Sequence, residues 1–276
     1  MKKLLASAFA LMAVAFMNAQ QNTDVTTQWG DFNTANVGQH GYKNANGILQ
    51  WGDKNDAKVT QYGKENKNAT SSIGDKNHET VYQSGNYNSN IASQLGDSNE
   101  ATTKQYGEFN KVNQNQKGDD NSAYAMQVGK RNEATQTQTG DDNDANSNQE
   151  GNDNKVTQTQ KGNKNDADAS QRGANNNISQ NQNGYDNDAY ATQLGYDNKI
   201  TQSQTGNYNK AIASQIGDRN TISQTQIGNS HYSLDSQIGC DNKITVLQDS
   251  NPGGGVVLNP HMPPVKCPTN SGGHGC

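Results

Sequence analysis

Glycine recurs every 11 residues through most of this chain. It stands at Gly30, Gly41, Gly52 and onward to Gly239, 20 times with no insertion or deletion. Gln precedes it by two residues in 19 of 20 units, Ser72 being the exception. Asn follows it by three residues in 19 of 20, with His231 the exception, and the fifth residue after it is Ala, Val or Ile in 15 of 20. One unit this short cannot enclose a core. Units must therefore stack on one another into a quasi-one-dimensional array.

Composition alone leaves the outcome open. Of 276 residues only 29% are hydrophobic, and the mean hydropathy is -1.09. So little apolar surface is the mark of disorder. The net charge of only -5 argues against a polyelectrolyte, and no basic field for nucleic acid is present. A nearly neutral Gln/Asn-rich chain has a second fate, stacked β-structure, and the unbroken period selects it. An 11-residue period also fits a right-handed coiled coil. That would place a glycine inside the helix in every period, at about 1 kcal/mol each against Ala, with no sustained apolar stripe in return.

As a strand the unit alternates. Ala211, Ala213, Gln215 and Gly217 fall on one face, and Ile212, Ser214 and Ile216 on the other. A polar pair such as Asp218-Arg219 then turns the chain, and Asn220 resets it. Each unit reads as one strand of about six residues plus a tight turn. A 22-residue superperiod pairs the units: four residues before glycine, Gln158, Gln180 and Gln202 alternate with Ala169, Ala191 and Ala213. Large side chains on one strand face small ones on the other. The expected fold is all-β, a β-solenoid of about ten coils with two strands per coil, roughly 48 Å long at ~4.8 Å per coil.

Stacking in register lays like on like. One series of inward columns contains Gln138, Gln160, Gln182 and Gln204, with Gly140, Gly162, Gly184 and Gly206 and with Asn143, Asn165, Asn187 and Asn209. The other contains Gln193, Gly195, Asn198, Gln215, Gly217 and Asn220. Primary amides both donate and accept, so such ladders can satisfy buried side chains indefinitely. Glycine is expected where the chain turns sharply and the two strands of a coil approach closely. The two ends of the stack are open edges, templates for another chain.

The repeat is flanked by different material. Lys2 and Lys3 precede an apolar run from Leu4 to Met17, and Met17-Asn18-Ala19 offers a cleavage site, the plan of a secretory signal peptide over 1–19. The run is too short for a membrane span, and no later segment could span as a helix. Residues 20–249 hold the repeat, with no N-terminal cap expected ahead of it. Residues 250–276 form a Pro/Gly-rich tail expected to be irregular. Cys267 and Cys276 could pair there, leaving Cys240 over in a turn. Cys267, Cys276, His261 and His274 match no zinc spacing.

Residues 182–193, QNGYDNDAYATQ, carry every position of Q-x-G-x-x-N-x-A-x-x-x-Q: Gln182, Gly184, Asn187, Ala189 and Gln193. In tandem after a signal peptide, this motif resembles the curlin repeat of curli subunits, over about 22–249. The resemblance implies a subunit of a bacterial extracellular functional amyloid. Such a subunit is secreted unfolded through an outer-membrane pore and polymerises head to tail with itself, alongside a nucleator subunit. The fibre serves biofilm matrix and cell adhesion at the cell surface.

Other chemistry finds little support. His40, His78, His231, His261 and His274 fall at unrelated phases, and paired carboxylates such as Asp141-Asp142 sit in turns. No enzyme activity, cofactor or metal is expected. Calcium binding by the Asp turns would need the Gly-rich nonapeptide of β-rolls, which is lacking. Two outward features remain. Thr135, Thr137, Thr139, Thr157 and Thr159 make a threonine-rich face that suits ice binding, interrupted by Lys117, Lys161 and Asn183. Trp29, Trp51, Ile73 and Leu95 form an apolar column suited to lateral contact or adhesion. An ice-binding solenoid or a monomeric adhesin are thus the alternatives to a fibre subunit.

Overall fold

A computed structural model describes residues 21–250. The expected signal peptide lies outside these residues, as does the tail beyond Ser250. The described chain is a β-solenoid without helix. Twenty-one strands run from β1 (Thr23–Trp29) and β2 (Thr34–Tyr42) to β20 (Tyr232–Cys240) and β21 (Lys243–Asp249). Odd-numbered strands form an 11-stranded parallel sheet and even-numbered strands a 10-stranded one. The register is 22 residues throughout: Ala189 pairs with Ala167 on one side and Ala211 on the other. This is the two-strand coil that the superperiod predicts.

Two details differ from expectation. Strands are seven or nine residues long rather than about six, because parallel pairing runs on through glycine into the turn. In β16 (Asp188–Tyr196) the pairing includes Gly195 and Tyr196. The coils also number ten and a half, since β21 completes an extra odd strand whose glycine position is held by Ser250.

Burial alternates as the unit predicts. Ala211, Ala213 and Gln215 are buried, while Ile212 and Ser214 are half-buried and Ile216 is exposed. The apolar core is thin. Val156, Ile178, Ile200 and Ile222 of the odd sheet interdigitate with Ala169, Ala191 and Ala213 of the even sheet. Nearer the N-terminus the same odd column is polar instead. Asn90 Nδ2 donates to Asn68 Oδ1 and Asn68 Nδ2 to Asn46 Oδ1, each at 2.8 Å, and all three residues are buried.

The turns explain the glycine. Gly195 has φ +128°, and a Cβ there would collide with the carbonyl oxygen of Gly217 one coil on. The close approach is thus between successive coils of one sheet, not between the two strands of a coil as expected. Two residues after each repeat glycine φ is positive again, in 20 non-glycine residues at 54–60°. The left-handed conformation is costly for most side chains. It is held by stacking: the Arg219 N–H donates to the Tyr196 carbonyl of the preceding coil at 2.9 Å, and Asp241 to Asp218 at 3.0 Å. Strand and turn alike are hydrogen-bonded along the axis.

Candidate self-assembly interface

Every coil edge repeats the same columns. In the odd sheet Gln138 Nε2 donates to Gln160 Oε1, Gln160 to Gln182 and Gln182 to Gln204, each at 3.0 Å. In the even sheet Gln171 donates to Gln193, Gln193 to Gln215 and Gln215 to Gln237, each at 2.9 Å. The same amide nitrogens also tie the two strands of a coil together. Gln182 Nε2 reaches the carbonyls of Asp166 and Asn187, both at 2.7 Å, and Gln193 Nε2 reaches Asn177 at 3.2 Å. These glutamines are essentially inaccessible to water.

Asn is more than an amide ladder, which sequence reasoning missed. Its Oδ1 accepts the backbone N–H of the Asn one coil on: Asn143 from Asn165 at 3.1 Å, Asn187 from Asn209 at 3.1 Å, Asn198 from Asn220 at 3.0 Å. Its Nδ2 donates to a glycine carbonyl of the next coil, Asn165 to Gly184 at 3.0 Å and Asn187 to Gly206 at 2.8 Å. Asn therefore clamps two turns through their backbones, and Gly140, Gly162, Gly184, Gly195, Gly206 and Gly217 all carry the positive φ that presents those carbonyls.

The exceptions to the repeat leave readable faults. Ser72 is too short to span its coil: its hydroxyl donates to Gln94 Oε1 at 3.0 Å, but Gln50 Nε2 is left buried without a partner. His231 keeps its backbone bond to Asn209 Oδ1 at 3.0 Å, and its ring contacts Ser250 Oγ at 2.9 Å. Glu79 of β6 (His78–Asn86) stands between Ala57 and Ala101 in an inward column, fully enclosed, with neither carboxylate oxygen hydrogen-bonded. Burial pushes its carboxyl up to about 8, although nearby Thr70 and Asn90 draw it down without completing a bond of normal geometry. Its signal in the sequence was an acid where Ala, Val or Ile belongs. At the ends, two more buried amide nitrogens lack partners: Asn22 Nδ2 and Gln237 Nε2.

The outer faces are mixed. The Trp29 and Trp51 rings meet edge-on at 5.1 Å, both more than half exposed, and Ile73 and Leu95 continue the column. On the other sheet His40, Tyr62, Tyr82 and Tyr106 form an unbroken file of rings with centroids 4.9–5.9 Å apart, a stripe that sequence reasoning did not single out. Exposed ion pairs such as Arg131–Asp153 at 2.6 Å and Arg219–Asp241 at 2.7 Å link turns of successive coils, where solvent screening leaves them little weight in stability. Asp144, Asp166 and Asp168 are raised above the usual carboxylate range, chiefly by burial and then by neighbouring carboxylates.

Cys240 is buried and disulfide-bonded. It is therefore not the left-over cysteine, as expected from pairing Cys267 with Cys276, residues that lie outside those described. Among the described residues no group of three or more His, Cys, Asp or Glu side chains is placed to hold a metal ion. No helix there is long and apolar enough to cross a membrane.

Comparison with known families agrees with this geometry. The family model described as the curlin associated repeat matches residues 30–63 and 118–151. No curated protein matches the chain. Both matched segments begin and end on the repeat glycine, and the same spacing runs unbroken between and beyond them. The curlin associated repeat thus occurs twice in the chain, which is consistent with a curlin-family protein of tandem repeats.

Proposed function

We propose that this protein is the structural subunit of an extracellular, curli-type amyloid fibre that grows by end-to-end addition of its own copies. The single observation that carries the reading is the uniform 22-residue parallel register, which repeats one ladder of strand pairing from the first described coil to the last. The outermost described strands carry the ladder glutamine of the interior strands, Gln28 and Gln39 at one end and Gln237 and Gln248 at the other. An edge of this kind is a template for pairing, and a head-to-tail contact between unlike ends does not close. Stacking supplies the stability of each coil, so adding a subunit repeats a strand pairing already made ten times in one sheet and nine times in the other.

The curlin repeat adds the context. The reading places the mature chain outside the cell, exported through an outer-membrane pore and started on the surface by a nucleator, in a fibre that serves biofilm matrix and adhesion. The exposed Trp29–Trp51 column and the tyrosine file are its candidate surfaces for lateral or adhesive contact. The test is polymerisation of the purified mature chain, with and without fibre seeds, followed by electron microscopy. Seeded fibres support the reading. A chain that stays monomeric would return the choice to an ice-binding or a monomeric adhesive solenoid, separated by thermal-hysteresis and surface-binding assays.

A further inference from the structure

A third period runs along the outer faces. Lys67, Lys111, Lys155, Lys199 and Lys243 recur every 44 residues, each the first residue of an odd-numbered strand. Asp56, Glu100, Asp144 and Asp188 recur every 44 residues too, each the first residue of an even-numbered strand. Parallel register stacks them into columns, with one such charge in every second coil, about 9.6 Å apart. The whole lysine column, five lysines and Glu133, carries +4. The whole acidic column, five carboxylates and Lys210, carries -4 with His78 neutral. The residue before each glycine forms the other margin of each face. There Trp29, Trp51, Ile73 and Leu95 stand exposed at the N-terminal end of the odd sheet, and Leu194, Ile216 and Ile238 at the C-terminal end of the even sheet.

We propose that two copies of this chain pack laterally, the odd face of one flat on the even face of the other, with their solenoid axes antiparallel. The contact deepens the self-assembly reading above, yet it needs only two folded copies and not their end-to-end growth. A single register satisfies both margins. At one, Lys67 falls on Asp188 of the second copy, Lys111 on Asp144, Lys155 on Glu100 and Lys199 on Asp56. At the other, Trp29 falls on Ile238, Trp51 on Ile216 and Ile73 on Leu194, and further along Lys117 falls on Glu150. The remaining charges of the two faces meet none of their own sign: Glu133 falls on Ser122, Asp166 on Ser89 and Lys210 on Ala45. Within one copy Lys111 and Lys155 already share Glu133, each at 3.4 Å, and Lys210 reaches Asp188 at 3.2 Å. One carboxylate between two lysines leaves positive charge over, so the column still has charge for a facing acid.

Direction follows from the coil. Its two strands run opposite ways, so the lysine column of one sheet and the acidic column of the other lie at opposite margins. Stacked in the same direction, the lysine column meets the column of Leu194, Ile216 and Ile238, and the acidic column meets that of Trp29, Trp51 and Ile73, whatever the offset. Offset by one coil, that stack still sets Lys117 on Asp144 and Lys161 on Asp188, but it also sets Trp29 on Asp56 and Ile73 on Glu100. Odd face on odd face, antiparallel, sets lysine on lysine. Turning the second copy end for end brings opposite charges together and apolar residues together. The face is about 48 Å long and about 23 Å wide, a footprint of roughly 1,100 Å² per copy against about 800 Å² per partner in a stable interface. Since the two faces differ, the contact is heterologous and can repeat from copy to copy.

Carbodiimide cross-linking reads the register without substitution, because it joins a lysine to a carboxylate only where the two touch. Equal parts of isotope-labelled and unlabelled mature chain are grown into fibres, cross-linked, dissolved, digested and analysed by mass spectrometry, beside the soluble chain treated the same way. The expected links between labelled and unlabelled copies are Lys111–Asp144, Lys155–Glu100 and Lys117–Glu150. Lys117–Asp144 with Lys161–Asp188 instead, or no link between copies, overturns the antiparallel contact. Fibres without the expected links sink this contact and leave end-to-end growth standing. The expected links in a chain that forms no fibres do the reverse. A charge swap gives a second readout at Lys67 and Lys199, whose neighbours in the column are the uncharged Ala45, Ser89, Asn177 and Thr221. Lys67→Glu with Lys199→Glu should reduce bundles to single-solenoid fibres by electron microscopy, and adding Asp188→Lys with Asp56→Lys should restore the bundled width. Bundles that persist in the first variant, or that the second fails to restore, count against the contact.

Discussion

Replacing Glu79 by Gln should remove a pH dependence of stability that is built into one coil. The folded carboxyl sits at about 8 against an ordinary 4.5, because burial opposes its charge. Below pH 4.5 both folded and unfolded chains hold the proton, and the group has no effect on stability. As pH rises the unfolded chain releases the proton first, so the folded state loses ground until the folded carboxyl ionises near pH 8. At ~1.36 kcal/mol per pH unit the loss is roughly 3 kcal/mol at pH 7 and roughly 5 kcal/mol above pH 8. Gln has nearly the shape of the protonated acid and does not titrate. Asp144, Asp166 and Asp168 also titrate above the ordinary carboxylate range, but they are common to both chains and cancel in the difference. The assay is guanidinium unfolding of the soluble monomer, followed by far-UV circular dichroism from pH 5 to 9. Glu79→Gln should match wild type within about 1 kcal/mol at pH 5 and exceed it by several kcal/mol at pH 9. Parallel curves across that range would refute the reasoning.

The same unfolding assay tests the columns. Ser72→Gln should stabilise by about 1–3 kcal/mol, because it gives the buried Gln50 amide an acceptor and keeps a donor for Gln94. No gain would mean that Gln50 is already satisfied. Gln193→Ala should destabilise by about 1–3 kcal/mol for each buried amide it leaves unpaired, and should slow fibre growth. Outward Thr192→Ala should stay within about 0.5 kcal/mol, and equal effects at the two sites would contradict the assigned faces. Gly195→Ala should cost at least about 2 kcal/mol, since φ +128° and the Gly217 carbonyl both exclude a Cβ. A neutral result would show that the coils are not stacked as closely as described.

Much of this architecture was legible in residue spacing. Period 11 with Gln, Gly and Asn in phase yields the strand, and the alternation of Gln158 and Ala169 yields two strands per coil. Those inferences work because every unit meets the same surroundings, so a local rule is also a global one. What escaped was geometry that a repeat does not encode. Asn165 and Asn187 are rungs of an amide ladder, donating to Asn143 Oδ1 and Asn165 Oδ1 at 3.0 and 2.9 Å, but they also bond backbone groups of neighbouring turns, and this depends on the left-handed residue that precedes each of them. Gly195 suggested a close approach, but only the stacked turns reveal that the neighbour is Gly217 and not the facing strand. The half coil was hidden because β21 lacks its glycine. The disulfide at Cys240 was misassigned because spacing does not specify cysteine partners.

The central claim, that the repeated coil ladder makes this chain polymerise into a cross-β fibre, is tested most directly by X-ray fibre diffraction of the tag-free mature protein after seeded growth. The account predicts fibres with a meridional reflection near 4.7–4.8 Å from coil stacking and an equatorial one near 10 Å from the facing sheets. Growth should show a lag that seeds abolish. A protein that remains monomeric at high concentration in the presence of seeds, or fibres without the meridional reflection, would contradict it.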